Sequence, residues 1–301
     1  MNIVVTGSLG HIGKPLTAAL VKKGHSVTVI SSKAERQQDI EALGAKAAIG
    51  TMQDPRFLSA AFQGADIVYL METLDAVGGF FDKDLDFIDT ISKIGYNYKQ
   101  AIEAAGVKQV VHLSSVGAHM DKGNGILAFH YNVEQILKQL PEDVSIKFIR
   151  PVGFYTNFFA FMRSIKGQGA IAENYGGDKK HPWVSPVDIA AVIDEEISTP
   201  FEGRKIRYVA SDEVSPNEIA SLLGAAIGKP DLKWSVIADD EILRSWLSIG
   251  MNAQVAQGFA EMQAAMHSGV LYEDFYRNKP ALGQVRFTEF VKEFAAAYRQ
   301  Q

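Results

Sequence analysis

Three glycines spaced three apart follow directly on a short apolar run: Ile3-Val4-Val5-Thr6-Gly7-Ser8-Leu9-Gly10-His11-Ile12-Gly13. The next segment, Lys14-Pro15-Leu16-Thr17-Ala18-Ala19-Leu20, has apolar residues at helical spacing. A strand, a glycine turn and a helix N-terminus together make an anion site. Backbone N–H groups point outward there, the helix dipole is positive at that end, and glycine admits a close pyrophosphate. The G-x-x-G-x-x-G spacing departs from the commoner G-x-G-x-x-G fingerprint, and as a bare pattern among 26 glycines it is weak. Its setting strengthens it, because a second apolar strand, Ser26-Val27-Thr28-Val29-Ile30, follows about twenty residues on. The pattern predicts dinucleotide binding by Gly7, Leu9, Gly10, His11, Ile12 and Gly13. The alternative is a strand-to-helix turn that needs glycines only for its own geometry.

The rhythm of the chain supports the first reading. Strand candidates fall at 3–6, 26–30, 47–49, 67–71, 110–114 and 146–149, with helical patterns at 13–23, 33–43, 55–63, 82–105 and 127–139. Such alternation predicts an α/β fold with a doubly wound, Rossmann-type parallel sheet covered on both faces. Gly64-Ala65-Asp66 and Gly106-Val107-Lys108 read as helix stops feeding strands. The acid-rich Phe81-Asp82-Lys83-Asp84-Leu85-Asp86 reads as a helix N-terminus with charge favourable to the dipole. Beyond residue 150 the rhythm loosens. Ser185-Pro186-Val187-Asp188 and Ser215-Pro216-Asn217-Glu218 each place a cap, a proline and an acid as helix starts do. Helices are expected at 186–197, 216–227, 239–248, 253–267 and 288–299, with a strand around 205–210. Residues 1–150 thus form the nucleotide-binding domain. Residues 151–301 form a smaller, mostly helical cap or substrate region, with 183–195 and 205–210 packing back on the sheet. Its aromatics (Trp234, Trp246, Phe259, Tyr272, Phe275, Tyr276) read as core in preference to ligand contacts.

Composition narrows the function classes. With 301 residues and 47% hydrophobic content, the chain can bury a full core in one or two domains. Thirty basic against thirty-five acidic residues give a net charge of −5, which argues against a nucleic-acid or anionic-membrane footprint. The absence of cysteine excludes disulfides, thiolate catalysis and thiolate metal sites. No run approaches a membrane span, and Met1-Asn2 leads straight into the first strand with no signal-peptide pattern. A cytoplasmic protein, monomeric or homodimeric, is expected.

The tip of the second strand indicates which dinucleotide. NAD-selective sites place an acid there to hold the ribose 2′-OH. This strand ends Ile30-Ser31-Ser32-Lys33-Ala34-Glu35-Arg36, with Glu35 late, inside the following helical pattern. Ser31, Ser32, Lys33 and Arg36 instead offer donors and charge suited to a 2′-phosphate. A solvated turn with a serine helix cap is the alternative. NADP(H) is expected in preference to NAD(H).

Further segments carry a family resemblance: Gln63-Gly64-Ala65-Asp66, His112-Leu113-Ser114-Ser115, Arg150-Pro151-Val152-Gly153-Phe154-Tyr155-Thr156-Asn157-Phe158-Phe159 and Trp183-Val184-Ser185-Pro186-Val187-Asp188-Ile189-Ala190. With the glycine turn, and in this order, the chain resembles the NmrA-like family of atypical short-chain dehydrogenases over nearly its whole length. His130-Tyr131-Asn132-Val133-Glu134 is similar to the branch of NADPH quinone reductases and triphenylmethane dye reductases, which has His, not Lys, four residues before the Glu. The resemblance implies an NADP-binding domain, a small substrate domain, and hydride transfer to a planar, quinone-like or conjugated acceptor. It places His130 at the reacting centre, and Tyr155 follows the sixth strand beside the expected nicotinamide. Met71, Glu72, Ser114, Ser115, Val152 and Phe154, at or just after strand ends on the edge where open α/β sheets bind ligands, are expected against the cofactor, and Tyr131, Asn157 and Phe158 in the substrate pocket. Two departures stand out: Gly50-Thr51-Met52-Gln53-Asp54 where relatives often have Gly-Asp, and Met71-Glu72-Thr73, whose acid could lie near the nicotinamide ribose.

The chemistry on offer is sparse. Tyr–Lys dehydrogenases carry the two residues four apart on one helix, the lysine lowering the phenol pKa. Only Tyr175-Gly176-Gly177-Asp178-Lys179 has that spacing, in a glycine-rich stretch that reads as loop. Hydride transfer to a quinone needs less, since the cofactor carries the reaction and the protein orients it. His130 could bond the nicotinamide ribose or amide, or donate a proton; alternatively it is a structural histidine. Ser114 and Ser115 have no nucleophile elbow around them. His11, His25, His112, His119, His181 and His267 show no metal spacing, so no metal is expected. A non-catalytic NADP(H) sensor is the main alternative to a reductase. Isomerase or dehydratase chemistry with bound NAD is disfavoured by the missing Tyr–Lys pair.

Overall fold

The computed structural model describes residues 1–73 and 78–300. Its first half alternates β1 (Asn2–Val5), α1 (Gly13–Lys22), β2 (Ser26–Ser31), α2 (Gln37–Ala42), β3 (Lys46–Ile49), α3 (Pro55–Phe62), β4 (Ile67–Leu70), α4 (Phe87–Ala105), β5 (Gln109–Leu113), α5 (Ala128–Leu137) and β6 (Ser145–Pro151). There follow β7 (Gly153–Phe154), α6 (Met162–Gln168), β8 (Ala170–Glu173), β9 (His181–Val184), α7 (Pro186–Ile197), β10 (Arg204–Val209), β11 (Asp212–Val214), α8 (Pro216–Ala226), β12 (Lys233–Val236), α9 (Asp239–Ser248), α10 (Ala253–Ser268), α11 (Glu273–Arg277) and α12 (Phe287–Gln300).

Seven strands form one sheet in the order β10-β6-β5-β4-β1-β2-β3, every neighbouring pair parallel. Both faces of a parallel sheet are covered, so its strands are apolar at successive positions and not only at alternate ones. Ile3, Val5 and Val111 face one core, shared with Leu16, Leu20, Ile189 and Ile193 of α1 and α7. Val4, Val68 and Val110 face the other, shared with Leu58, Ile91, Ile94 and Val133 of α3, α4 and α5. The order reverses between β1 and β4, and all strand carboxyl ends lie on one edge. That edge, at the reversal, is where open α/β sheets form a crevice for ligands.

Local chemistry sets the helix ends. Gly106 closes α4 in the left-handed conformation at φ 70°. Ser185 caps α7 by accepting from the Val187 N–H, and Ser215 with Glu218 makes a full capping box on α8. The acid-rich segment differs from expectation. Asp86 caps α4 by accepting from the Asp89 N–H, so the helix starts at Phe87 and the acids at 82–84 lie in the preceding turns. Strand β10 joins the edge of the main sheet beside β6, and α7 packs on α1. Trp183 and Val184, however, belong to β9 of a separate three-stranded sheet, β11-β9-β7, next to a two-stranded β12-β8 sheet. These strands have only two to four residues and lie outside the regular strand–helix alternation.

One buried acid has no full set of partners. Glu173, at the end of β8, has a carboxylate oxygen that is enclosed and unpartnered, and burial pushes its pKa up to about 7 despite a hydrogen bond with Gln263. A folded-state pKa above the unfolded one favours the protonated form. The associated stability is therefore complete below about 4.5 and is lost as pH rises through about 7. Glu173→Gln is expected to raise stability above pH 7 by on the order of 1–3 kcal/mol and to change little at pH 4.5. Urea unfolding at the two pH values measures this; equal shifts at both would contradict it.

Candidate functional site

The glycine turn lies at the β1/β4 crevice. Gly7 has φ 85° and Ser8 φ 58°, the one non-glycine residue with positive φ among those described. A Cβ on Gly7 would collide with the Met71 sulfur, and one on Gly13 with the Ser8 carbonyl oxygen. Two of the three glycines are therefore steric requirements of the turn, while Gly10 is exposed and free for a ligand to approach. The Ser8 N–H donates to Ile30 O at 3.0 Å, tying the turn to β2. At the other side the Met71 N–H donates to Thr6 Oγ1 at 2.9 Å, and the Tyr98 hydroxyl donates to Met71 O at 2.6 Å. Helix α1 starts at Gly13 with Ile12 at its cap position and no side-chain cap. Its first N–H groups, together with the dipole, suit a phosphate.

The tip of β2 divides its four expected residues. Ser31 is buried, accepts from the Ser8 hydroxyl at 3.0 Å and the Lys33 N–H at 3.2 Å, and donates to Lys33 O at 3.3 Å. It therefore holds the loop and has no hydrogen left for a ribose phosphate, which corrects the expectation for that residue. Ser32, Lys33 and Arg36 are exposed beside the turn. Arg36 has only an exposed pairing with Asp39 at 3.4 Å, which contributes little and is easily exchanged for a stronger anion.

Several residues expected in the cleft are committed elsewhere. Glu72 turns inward, and both its oxygens lie 3.1–3.2 Å from His112 Nε2, with both side chains fully enclosed. The ribose-side placement is thus replaced by a buried pair. The Ser114 hydroxyl donates to Glu134 at 2.6 Å. Val152 is a core residue whose N–H donates to Val209 O. Tyr155 is buried against Phe287 and Phe290 and donates to Val285 O at 3.1 Å, its hydroxyl pushed up by burial. Phe158 is equally buried, 4.7 Å from Trp183 and 5.3 Å from Phe287 between ring centroids. Both belong to the core, because residues 155–161 form a 3-10 turn that directs these rings against α12. Met71, Ser115, Phe154 and Tyr131 remain half-buried, and Asn157 is exposed. Tyr175 and Lys179 lie in an irregular loop, not on a helix.

The ring of His130, on α5, lies 3.9 Å from that of Phe129 between centroids, tilted by 35°. Its Nδ1 is enclosed without a partner, although the residue as a whole is only half-buried. Burial, and secondarily the neighbouring His112, lowers its pKa well below the usual histidine value. Burial thus favours the uncharged form of its imidazole.

Sequence reasoning gave no role to the pair below it. Glu134, one turn after His130, accepts from Arg150 Nε at 2.8 Å and Nη2 at 2.7 Å. Arg150 Nη1 donates to the Tyr208 hydroxyl at 3.1 Å, and that hydroxyl donates to Asp274 at 2.5 Å. Burial pushes the Glu134 carboxyl up, but the Arg150 hydrogen bonds and charge, with Ser114, outweigh it and leave it below the ordinary range. The available signal was an acid among Val133, Ile136 and Leu137 on the buried face of α5. Among the described residues no cluster of three or more His, Asp or Glu could hold a metal, and no helix is long and apolar enough to cross a membrane.

The arrangement thus offers a glycine turn with an uncapped helix N-terminus and exposed donors beside it at the β1/β4 reversal, with His130 on α5 on the other face of the sheet. The NmrA-like family model matches residues 1–284. The chain belongs to that family. This NmrA-like chain is 24% identical to an NAD(P)H azoreductase of Xenophilus azovorans over 98% of its own length and 99% of that protein. Its fold is similar to the solved NADPH-dependent quinone oxidoreductase of Escherichia coli, with TM-score 0.76, 20% identity and coverage of 97% and 98%. It is likewise similar to the triphenylmethane reductase of Citrobacter sp., with TM-score 0.75, 19% identity and coverage of 98% and 100%.

Gly13→Ala is expected to destabilise the fold by about 1–3 kcal/mol, since the new methyl meets backbone that cannot yield without moving the turn. Urea unfolding checks this; Gly10→Ala, with open space around it, is the control and should cost less than about 1 kcal/mol.

Proposed function

We propose that this NmrA-like chain is an NADPH-dependent reductase that delivers hydride to a small, planar, quinone-like or conjugated acceptor. The observation that carries the reading is the uncapped N-terminus of α1 behind the Gly7–Gly13 turn, flanked by exposed Ser32, Lys33 and Arg36 and with no carboxylate at the tip of β2. These groups fit a dinucleotide with a 2′-phosphate: the N–H groups for the pyrophosphate, the cations for the extra phosphate. The family's azo, quinone and triphenylmethane reductases support the same reading.

When bound, the nicotinamide supplies the hydride. The chain's own residues bind, orient and exclude water. The turn would hold the pyrophosphate through backbone groups at little cost in side-chain entropy, its shape being set by the Ser8 N–H bond to Ile30 O and the positive φ at Gly7 and Ser8. His130, held neutral by burial, orients a ribose hydroxyl, carboxamide or acceptor oxygen by hydrogen bonding. Its lowered pKa disfavours the imidazolium form, so the part assigned to it is hydrogen bonding and not proton donation. Tyr155 takes no part, its hydroxyl being spent on Val285 O.

Steady-state oxidation of NADPH across quinones, triarylmethane dyes and azo compounds tests the reading. Tight NADPH binding without turnover of any acceptor would assign the chain to cofactor sensing. The double change Lys33→Ala/Arg36→Ala should raise KM for NADPH by roughly 10-fold or more and leave KM for NADH within about 2-fold, as loss of charge-assisted contacts predicts. His130→Ala should raise the acceptor KM or the cofactor Kd by about 10-fold. In the unaltered chain kcat/KM should show no His130-dependent limb with midpoint near 6.5, because the lowered pKa puts protonation at more acidic pH. An acid limb near 6.5 that vanishes in His130→Gln would sink this role.

A further inference from the structure

The end of α10, the turn after it, α11 and the loop before β9 form the walls of an open cavity of about 510 Å³. That volume suits a small molecule. Lys179, Lys180, Tyr272, Tyr276 and Arg277 line it together with Glu273. The described lining thus carries three cations and one carboxylate, in a chain whose net charge is −5. Lys179 is placed by the backbone. Its ammonium donates to Ser268 O at 3.2 Å, at the negative end of α10, and occupies the space that a Cβ on Gly269 would fill. Arg277 and Lys180 are paired with exposed acids, Glu273 at 3.1 Å and Glu218 at 3.5 Å. Pairs of that kind contribute little and exchange readily for a ligand anion.

The cavity also has an aromatic side. The rings of Tyr272 and Tyr276 lie 6.5 Å apart between centroids at 74°, and Tyr276 is 44% exposed, open to a flat ligand. Against Tyr272 packs His181, buried, with neither ring nitrogen hydrogen-bonded. A buried polar ring without a partner is uncommon in a folded chain and points to a role for this wall beyond packing. The cavity lies away from the phosphate-binding end of the crevice. Asp274 of α11 accepts from the Tyr208 hydroxyl of β10, and β10 is five strand spacings from β2 in the sheet order. At the usual spacing that is roughly 24 Å.

We propose that this cavity binds a small organic anion with a flat ring, in its simplest form an aromatic carboxylate, at a site separate from the glycine turn. Arg277 and Lys180 take the carboxylate, the guanidinium through two parallel hydrogen bonds. The Tyr272–Tyr276 pair takes the ring. The site stands whether or not the chain reduces an acceptor, since its residues belong neither to the turn nor to the tip of β2.

Isothermal titration calorimetry of the full chain with 2-naphthoate and with uncharged 2-naphthylmethanol tests the proposal. Naphthoate should bind about 10-fold tighter than the alcohol, and saturating NADPH should leave its Kd within about 2-fold. The double change Lys180→Gln/Arg277→Gln, at exposed positions, should raise the naphthoate Kd by about 10-fold. Tyr276→Ala should raise it by about 5-fold through loss of the ring contact. Lys93→Gln removes an equally exposed charge on α4 and should change it by less than about 2-fold. Equal affinity for the two probes, an equal loss in Lys93→Gln, or displacement of naphthoate by NADPH overturns the proposal. So does unchanged binding in the Lys180→Gln/Arg277→Gln chain, which puts the anion elsewhere.

Discussion

The Glu134–Arg150 pair is the contact that ties α5 to the sheet. It is enclosed on all sides and joins α5 to β6, with Ser114 at the end of β5 and Tyr208 and Asp274 beyond it. Taking both charges out of water is costly, and two parallel hydrogen bonds from the guanidinium offset that cost. Such a pair adds little net stability compared with apolar residues, yet removing one partner leaves a buried charge and is strongly destabilising. Its position explains its importance. Glu134 lies on the buried face of α5 one turn after His130, while Arg150 precedes the chain segment that turns into β7.

The phosphate end is built differently. There the chain uses backbone: positive φ at Gly7 and Ser8, a Ser8 carbonyl packed where a Gly13 side chain would be, and α1 left without a side-chain cap. Ser31 serves this end by tying the turn to β2, while the exposed Lys33 and Arg36 supply charge. One half of the site is thus fixed by steric necessity over a few residues. The other is fixed by polar contacts between residues far apart in the sequence.

This difference accounts for how legible each half was. The glycine turn, the order of β1 to β6 and the caps at Ser185 and Ser215 could be read directly, because each depends on neighbours within a few positions. Tyr155, Phe158, Glu72 and Ser114 were placed in the cleft because they lie at or just after strand ends. Position along a strand says which edge a residue occupies, but not which way its side chain turns. Tyr155 and Phe158 turn toward α12, more than a hundred residues later, where burying aromatic area outweighs exposure to a ligand. Glu72 turns toward His112, since an enclosed carboxylate needs a partner more than an open cleft offers one. The small β11-β9-β7 and β12-β8 sheets were missed because their short strands lie outside the regular strand–helix alternation that marks the equally short strands of the main sheet.

By itself, then, the sequence determined the parallel sheet, the glycine turn between its first strand and helix, and the absence of an acid at the tip of β2. These follow from local periodicity, glycine sterics and charge, which act between near neighbours. Only the tertiary structure decided which polar groups remained available to a ligand. Ser31, Ser114, Glu72 and Tyr155 are spent on partners brought close by folding, whereas Ser32, Lys33 and Arg36 stay exposed. A hydrogen-bonding group is free only after every distant competitor has been placed, and that competition is settled in three dimensions.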